Sequence, residues 1–135
     1  MTPIERYSAF FASLTSDFSD ESFYAVFATD AVFEDPFQKV NGRQSIIGVF
    51  RHMYTTLNNP HFEILESMGN TKSGYIRWTF IYNDERFDGV SHVLFDTHEH
   101  VISHIDYWDA GSNVYEKIPL LGSLLRLIKS KIKAS

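Results

Sequence analysis

Apolar residues recur along this chain at two different periods, and the change falls at Pro60. Before it, Ile4, Tyr7, Phe10, Phe11 and Leu14 lie three or four apart, the spacing of one buried helix face. Thr2-Pro3-Ile4-Glu5 reads as a capping box with proline at the first helical position, so a helix is predicted to start there. A second helix is predicted from Ser19-Asp20-Glu21, with its acids at the positive end of the dipole and Phe23, Val26 and Phe27 facing inward, ending before Asp35. Asn41-Gly42-Arg43-Gln44 reads as the capped start of a third helix whose buried side carries Ile46, Ile47, Phe50, Tyr54 and Leu57. Asn58-Asn59-Pro60 ends it.

After Pro60 the period becomes two, as in strands. Strands are predicted near His61–Met68, Gly74–Asn83, Phe87–Phe95 and His100–Trp108, joined by the turn-rich stretches 69–74, 83–85 and 96–99. Helices followed by an antiparallel sheet make the fold class α+β. In the second of these strands Ile76, Trp78, Phe80 and Tyr82 share a face. In the last, Ile102, His104, Asp106 and Trp108 share one. Burying an ionisable pair among apolar neighbours is costly without partners, so His104 and Asp106 beside Trp108 point to a lined cavity or, alternatively, to a solvated side of the sheet.

Between the second and third helices stands Val32-Phe33-Glu34-Asp35-Pro36-Phe37. Proline drives the preceding residue out of helical geometry, so Asp35 is expected on an extended corner between two helical stretches. With Phe33 and Phe37 on either side, its carboxyl is expected beside aromatic surface, where lost hydration raises a carboxyl pKa and suits it to carrying protons. The plainer use is an Asp that caps a turn.

Composition narrows the class. The 135 residues suit one core, and 44% hydrophobic with 16% aromatic content excludes a disordered chain. The absence of cysteine excludes disulfides, a thiol nucleophile and Cys-ligated zinc. No signal-like or membrane-spanning run is read, and a cytoplasmic location is expected. The net charge of −5 divides into −9 for the body and +4 from Val114 onward. An acidic body disfavours nucleic acid as partner.

These parts in this order, namely three helices, an aromatic-Glu-Asp-Pro corner, a Gly-Arg helix start, a curved antiparallel sheet and a closing Asp106-Tyr107-Trp108-Asp109, resemble the nuclear transport factor 2-like superfamily, in its polyketide-cyclase (SnoaL-like) and ketosteroid-isomerase-like branch. The resemblance covers about residues 3 to 109. It implies a cystatin-like cone, in which the sheet curls around the helices and encloses an apolar ligand. Asp35 is similar to the proton-shuttling aspartate of ketosteroid isomerase and Tyr7 to its hydrogen-bonding tyrosine. Where that enzyme has Asp before a His in the third strand, this chain has Ser91 before His92, which removes a second strong oxyanion donor. Asp106 resembles the acid/base aspartate of the cyclases.

The resemblance thus implies a hydrophobic small molecule as ligand and a cofactor-free isomerase- or cyclase-like site: Asp35, Asp106, Tyr7 and His104 as catalytic groups, with Phe33, Phe37, Phe50, Trp78, Phe80, Ser91 and Trp108 around the substrate. The alternatives are a non-catalytic small-molecule or lipid binder, and an assembly module using Leu94, Ile105 and Tyr107 on the outer sheet face. No metal site is expected, because His98, which could join His100, His104 and Asp106, falls in a predicted turn. Ser91 and His92 point to opposite faces and cannot pair as nucleophile and base.

Residues 1–111 are read as the cone and 112–135 as an amphipathic basic helix. In the latter, Leu120, Leu121, Leu124, Leu125, Leu127, Ile128 and Ile132 form an apolar stripe with Arg126, Lys129 and Lys133 largely opposite. It is expected to serve as a lid or a homodimer element, in preference to lying on a membrane surface.

Overall fold

The computed structural model describes residues 1–109, and the expected C-terminal helix lies outside the described residues. The chain runs α1 (Pro3–Ser13), α2 (Asp20–Tyr24), β1 (Phe27–Asp35), β2 (Gln38–Asn41), α3 (Arg43–Thr56), β3 (His61–Gly69), β4 (Ser73–Tyr82), β5 (Glu85–Phe95) and β6 (Val101–Trp108). The six strands form one sheet in the order β2-β1-β6-β5-β4-β3. Among the described residues no helix is long and apolar enough to cross a membrane.

Helix α1 starts as its sequence dictates, with the Thr2 hydroxyl accepting from the Glu5 N–H at 3.3 Å and Pro3 in the first turn. Helix α3 differs from expectation. Asn41 is the last residue of β2, and Gly42 occupies the cap position with φ +93° and no side-chain cap bond. That backbone angle favours glycine, and it lets the Gly42 N–H reach the Ala31 carbonyl at 2.7 Å.

The larger difference is between residues 25 and 41. The expected second helix stops after five residues, and Phe27–Asp35 continues as a strand. The spacing of Phe23, Val26 and Phe27 suits a helix, but the buried Phe27 and Phe33 pair with β6, a partner some 70 positions away. Long-range packing of this kind overrides local propensity. The β1–β6 pair is parallel while the other pairs are antiparallel, so the sheet is mixed. The Asp35 corner therefore joins two strands, not two helices.

Helix α1 lies against β3 and β4, and α3 against β1 and β2, so the inward sheet face is covered by helices. Phe23, Phe27 and Phe87 are completely buried there. Inward alternation along β4 (Ile76, Trp78, Phe80, Tyr82) is as expected. On β6 it is not. The register slips opposite Leu94 and Phe95, so Val101 faces inward and Ile102 is 38% exposed, whereas His104 and Asp106 remain inside. An irregularity of this kind changes the phase of a strand. The outer face exposes Tyr75, Leu94 and Tyr107.

Candidate functional site

Cross-strand register carries a row of polar side chains over the aromatic inner face. Gln38 on β2 pairs with Asp35 on β1, and Ser91 on β5 pairs with Asp106 on β6. Glu34 pairs with Ile105, which brings Asp35 alongside Asp106 one step further on the parallel strands. On one side of this row lie Phe33, His104 and Tyr7, and on the other Phe37, Trp108 and Trp78.

Asp106, 9% exposed, is held through one oxygen. Its Oδ1 accepts from the Ser91 hydroxyl at 2.5 Å and lies 2.5 Å from His104 Nε2. Each arm continues. The Trp78 indole N–H donates to Ser91 Oγ at 2.8 Å, and the Tyr7 hydroxyl lies 2.6 Å from His104 Nδ1. The donor inventory orders these protons. Indole can only donate, so Ser91 accepts from it and passes its own O–H to the carboxylate. With Asp106 ionised, His104 donates through Nε2–H, and its free Nδ1 lone pair takes the Tyr7 O–H. Burial, reinforced by the charge of Asp106, pushes the Tyr7 phenol well above its ordinary pKa, so it stays a neutral donor. Among the described residues none hydrogen-bonds Asp106 Oδ2.

Asp35 is held differently. Its Oδ1 accepts from the backbone N–H groups of Phe37 and Gln38 at 2.8 and 3.0 Å, and its Oδ2 takes a long 3.4 Å contact from the Gln38 amide. It caps the β1–β2 turn, as the plainer reading has it. Yet loss of water around the group outweighs these bonds, and Asp106 beside it adds repulsion, so its pKa rises to about 6. The same corner holds two polar atoms buried with no partner among the described residues, Gln38 Oε1 and Trp108 Nε1.

The space beside Asp106 and His104 is about 10 Å³, room for a single water molecule. Of the residues expected around a substrate, Phe33, Phe50, Trp78 and Ser91 line it. Phe37, Phe80 and Trp108 do not; they form an adjoining aromatic group, with Trp108 5.3 Å from Trp78 and 6.3 Å from Phe37 between ring centres. Tyr7, 1% exposed, is absent from the lining and reaches the site only through His104. Phe11, Phe62, Ile64 and Ile76 complete the lining, and sequence reasoning missed these four as site residues, as it missed the inward Gln38, which with Asp35 stands beside Asp106 but outside the lining. Gln38 had no local signal, since only the β1–β2 pairing turns it inward. Among the described residues no group of three His, Asp or Glu side chains is placed to hold a metal.

The family pattern of the SnoaL-like domain matches residues 4–105. The chain belongs to the SnoaL-like family. Solved structures agree on its fold. A protein with a cystatin-like fold from Silicibacter pomeroyi superposes with TM-score 0.67 at 14% identity, covering 93% of this chain and 84% of that one. A protein with a ketosteroid isomerase-like fold from Catenulispora acidiphila, in complex with trimethylamine, gives 0.68 at 17% identity over 83% and 90%. A steroid delta-isomerase from Pseudomonas aeruginosa gives 0.61 at 13% identity over 85% and 83%. No curated protein matches this SnoaL-like chain. At these identities the likenesses establish the α+β architecture alone, and the chemistry rests on the side chains of this SnoaL-like domain.

Proposed function

We propose that this SnoaL-like domain binds a hydrophobic small molecule carrying an enolisable carbonyl and acts on it as a cofactor-free isomerase or cyclase. One observation carries this reading: two carboxyl groups stand side by side on neighbouring strands in unlike surroundings. Asp106 receives two side-chain donors on one oxygen, and among the described residues none bonds the other, which suits a base. Asp35 is pushed up to about 6, which suits a proton donor near neutral pH. Asp106 Oδ2 removes a proton from carbon beside the carbonyl while the Asp35 proton passes to the carbonyl oxygen. Where the substrate carries a β,γ carbon–carbon double bond, the Asp106 proton returns to the γ-carbon as the enol O–H gives its proton back to Asp35, completing an isomerisation; attack of the enol carbon on a second carbonyl, whose oxygen takes the Asp106 proton while the enol O–H returns to Asp35, completes a cyclisation.

The cavity at rest is smaller than any such ligand. Phe62 and Ile64 line it and are only partly buried, so a ligand would enter by displacing them. The test needs no knowledge of the natural substrate. Enolisable ketones of graded size are incubated with the protein in D2O, and deuterium uptake at the α-carbon is read by NMR. Wild type accelerates uptake for those that bind, and Asp106→Asn loses about 100-fold or more of it. Ketones that raise the melting temperature yet exchange no faster with protein than without it would leave a non-catalytic binder instead.

A further inference from the structure

Trp78 and Ser91 are expected from sequence to touch the ligand, yet in the structure Trp78 donates to Ser91 and Ser91 to Asp106. On the paired strands Ile76 lies opposite Ser91 and Trp78 opposite Gly89, so the indole reaches diagonally to the Ser91 hydroxyl. Gly89 makes that reach possible. A Cβ added there would stand 2.3 Å from Trp78 Cη2, 2.6 Å from Cζ2 and 2.8 Å from Cζ3, so the indole occupies the space of the missing side chain. The backbone is not the reason for glycine here, because among the described glycines only Gly42 has a positive φ. On the other side Gly89 pairs with Trp108, whose ring meets Trp78 edge-on at 78°. The indole is therefore confined from two sides, with its N–H aimed at Ser91.

We infer that Gly89, Trp78 and Ser91 form a positioning arm that fixes the rotation of the Asp106 carboxylate. Ser91 from the neighbouring β5 and His104 from Asp106's own strand grip the same oxygen, and a planar group held by two donors at one oxygen has its second oxygen fixed in direction. The role of the arm in turnover rests on the function proposed above, but the arm itself is measurable without a substrate.

The experiment compares wild type with Ser91→Ala, Ser91→Thr and Gly89→Ala. The readouts are the Trp78 indole proton and the Asp106 side-chain carboxyl carbon by NMR, together with ketone deuterium uptake. Ser91→Ala moves both resonances and speeds solvent exchange of the indole proton at least 10-fold. Ser91→Thr, which keeps the hydroxyl, restores them. Gly89→Ala produces the same changes without removing a hydrogen-bonding group; should it fail to fold, the serine pair decides. In turnover, Ser91→Ala lowers kcat about 10-fold with KM little changed. The inference is overturned if the Asp106 carbon resonance is the same in Ser91→Ala as in wild type, or if kcat survives while both resonances move. If wild type exchanges no ketone, the proposed function fails, and the two resonances still decide whether the arm holds Asp106.

Discussion

Asp35 and Asp106 are neighbours on the same inner face, and the chain holds them by opposite means. Asp35 is at the sheet's edge hairpin, its partners the backbone N–H groups two and three residues onward. Asp106 is in the middle of the sheet, held by Ser91 and, two residues before it on the same strand, by His104; these in turn are fixed by Trp78 and Tyr7, far away in sequence. A carboxyl held by its own turn keeps its hydrogen bonds but is left to bear the loss of water around it, and its pKa rises. A carboxyl served by side chains brought from three other elements, α1, β4 and β5, receives donors whose placement the fold can tune.

The largest expected break in this symmetry is in stability against pH. A raised folded-state pKa means the folded protein holds its proton more tightly than the unfolded chain. Asp35 therefore disfavours folding increasingly as pH rises from about 4 through about 6. Asp35→Asn keeps an oxygen for the two backbone donors and removes the charge. It should be more stable than wild type by about 3 kcal/mol at pH 8 and equal to it near pH 4. Urea unfolding at both pH values checks this, and a constant difference between them would contradict it.

The central carboxyl is broken from its far end. Tyr7→Phe leaves His104 Nδ1 buried without its donor and should cost about 2 kcal/mol. At pH 8 its effect should be opposite in sign to that of Asp35→Asn, as urea midpoints of the two variants would show. A smaller effect links the two groups. Asp106→Asn removes the neighbouring charge, so the Asp35 midpoint, followed by carboxyl-carbon NMR, should fall below about 6. Smallest is a change remote from both. Gly48 in α3 has open space where a Cβ would stand, and Gly48→Ala should stabilise the fold by about 1 kcal/mol in thermal melts. It should leave the titration of Asp35 where it was.

The same contrast explains what could be read from the residues alone. Strands β3 to β6 were legible to within two residues because alternation and turn chemistry are local, and so was α1 with its Thr2-Pro3 start. The Asp35 corner was legible as a corner, since Glu-Asp-Pro-Phe carries its own geometry. That it joins β1 to β2 was not, because Phe27–Asp35 becomes a strand only by lying beside β6. For the same reason His104 and Asp106 could be seen to share a face from strand period, with its inward or solvated direction left open, whereas the phase slip that turns Ile102 outward could not be seen. Nothing local marks Gly89 either: its need for glycine comes from a tryptophan on another strand. Fold class and both carboxyl groups were thus within reach of the sequence, and the hydrogen-bonded arms joining the second to its surroundings were not.

The parallel pairing of β1 with β6 also orders events during synthesis. The β1–β2 hairpin leaves the ribosome early, but its inner neighbour is the last strand described, so the edge it will share stays bare until Val101–Trp108 has emerged. A nascent chain halted before that point carries an open strand beside Phe27, Ala31 and Phe33. Such an edge is an invitation to aggregate, and the high contact order it implies predicts slow closure of the sheet. The two aspartates meet only when this strand docks, so their juxtaposition arises late among the described elements.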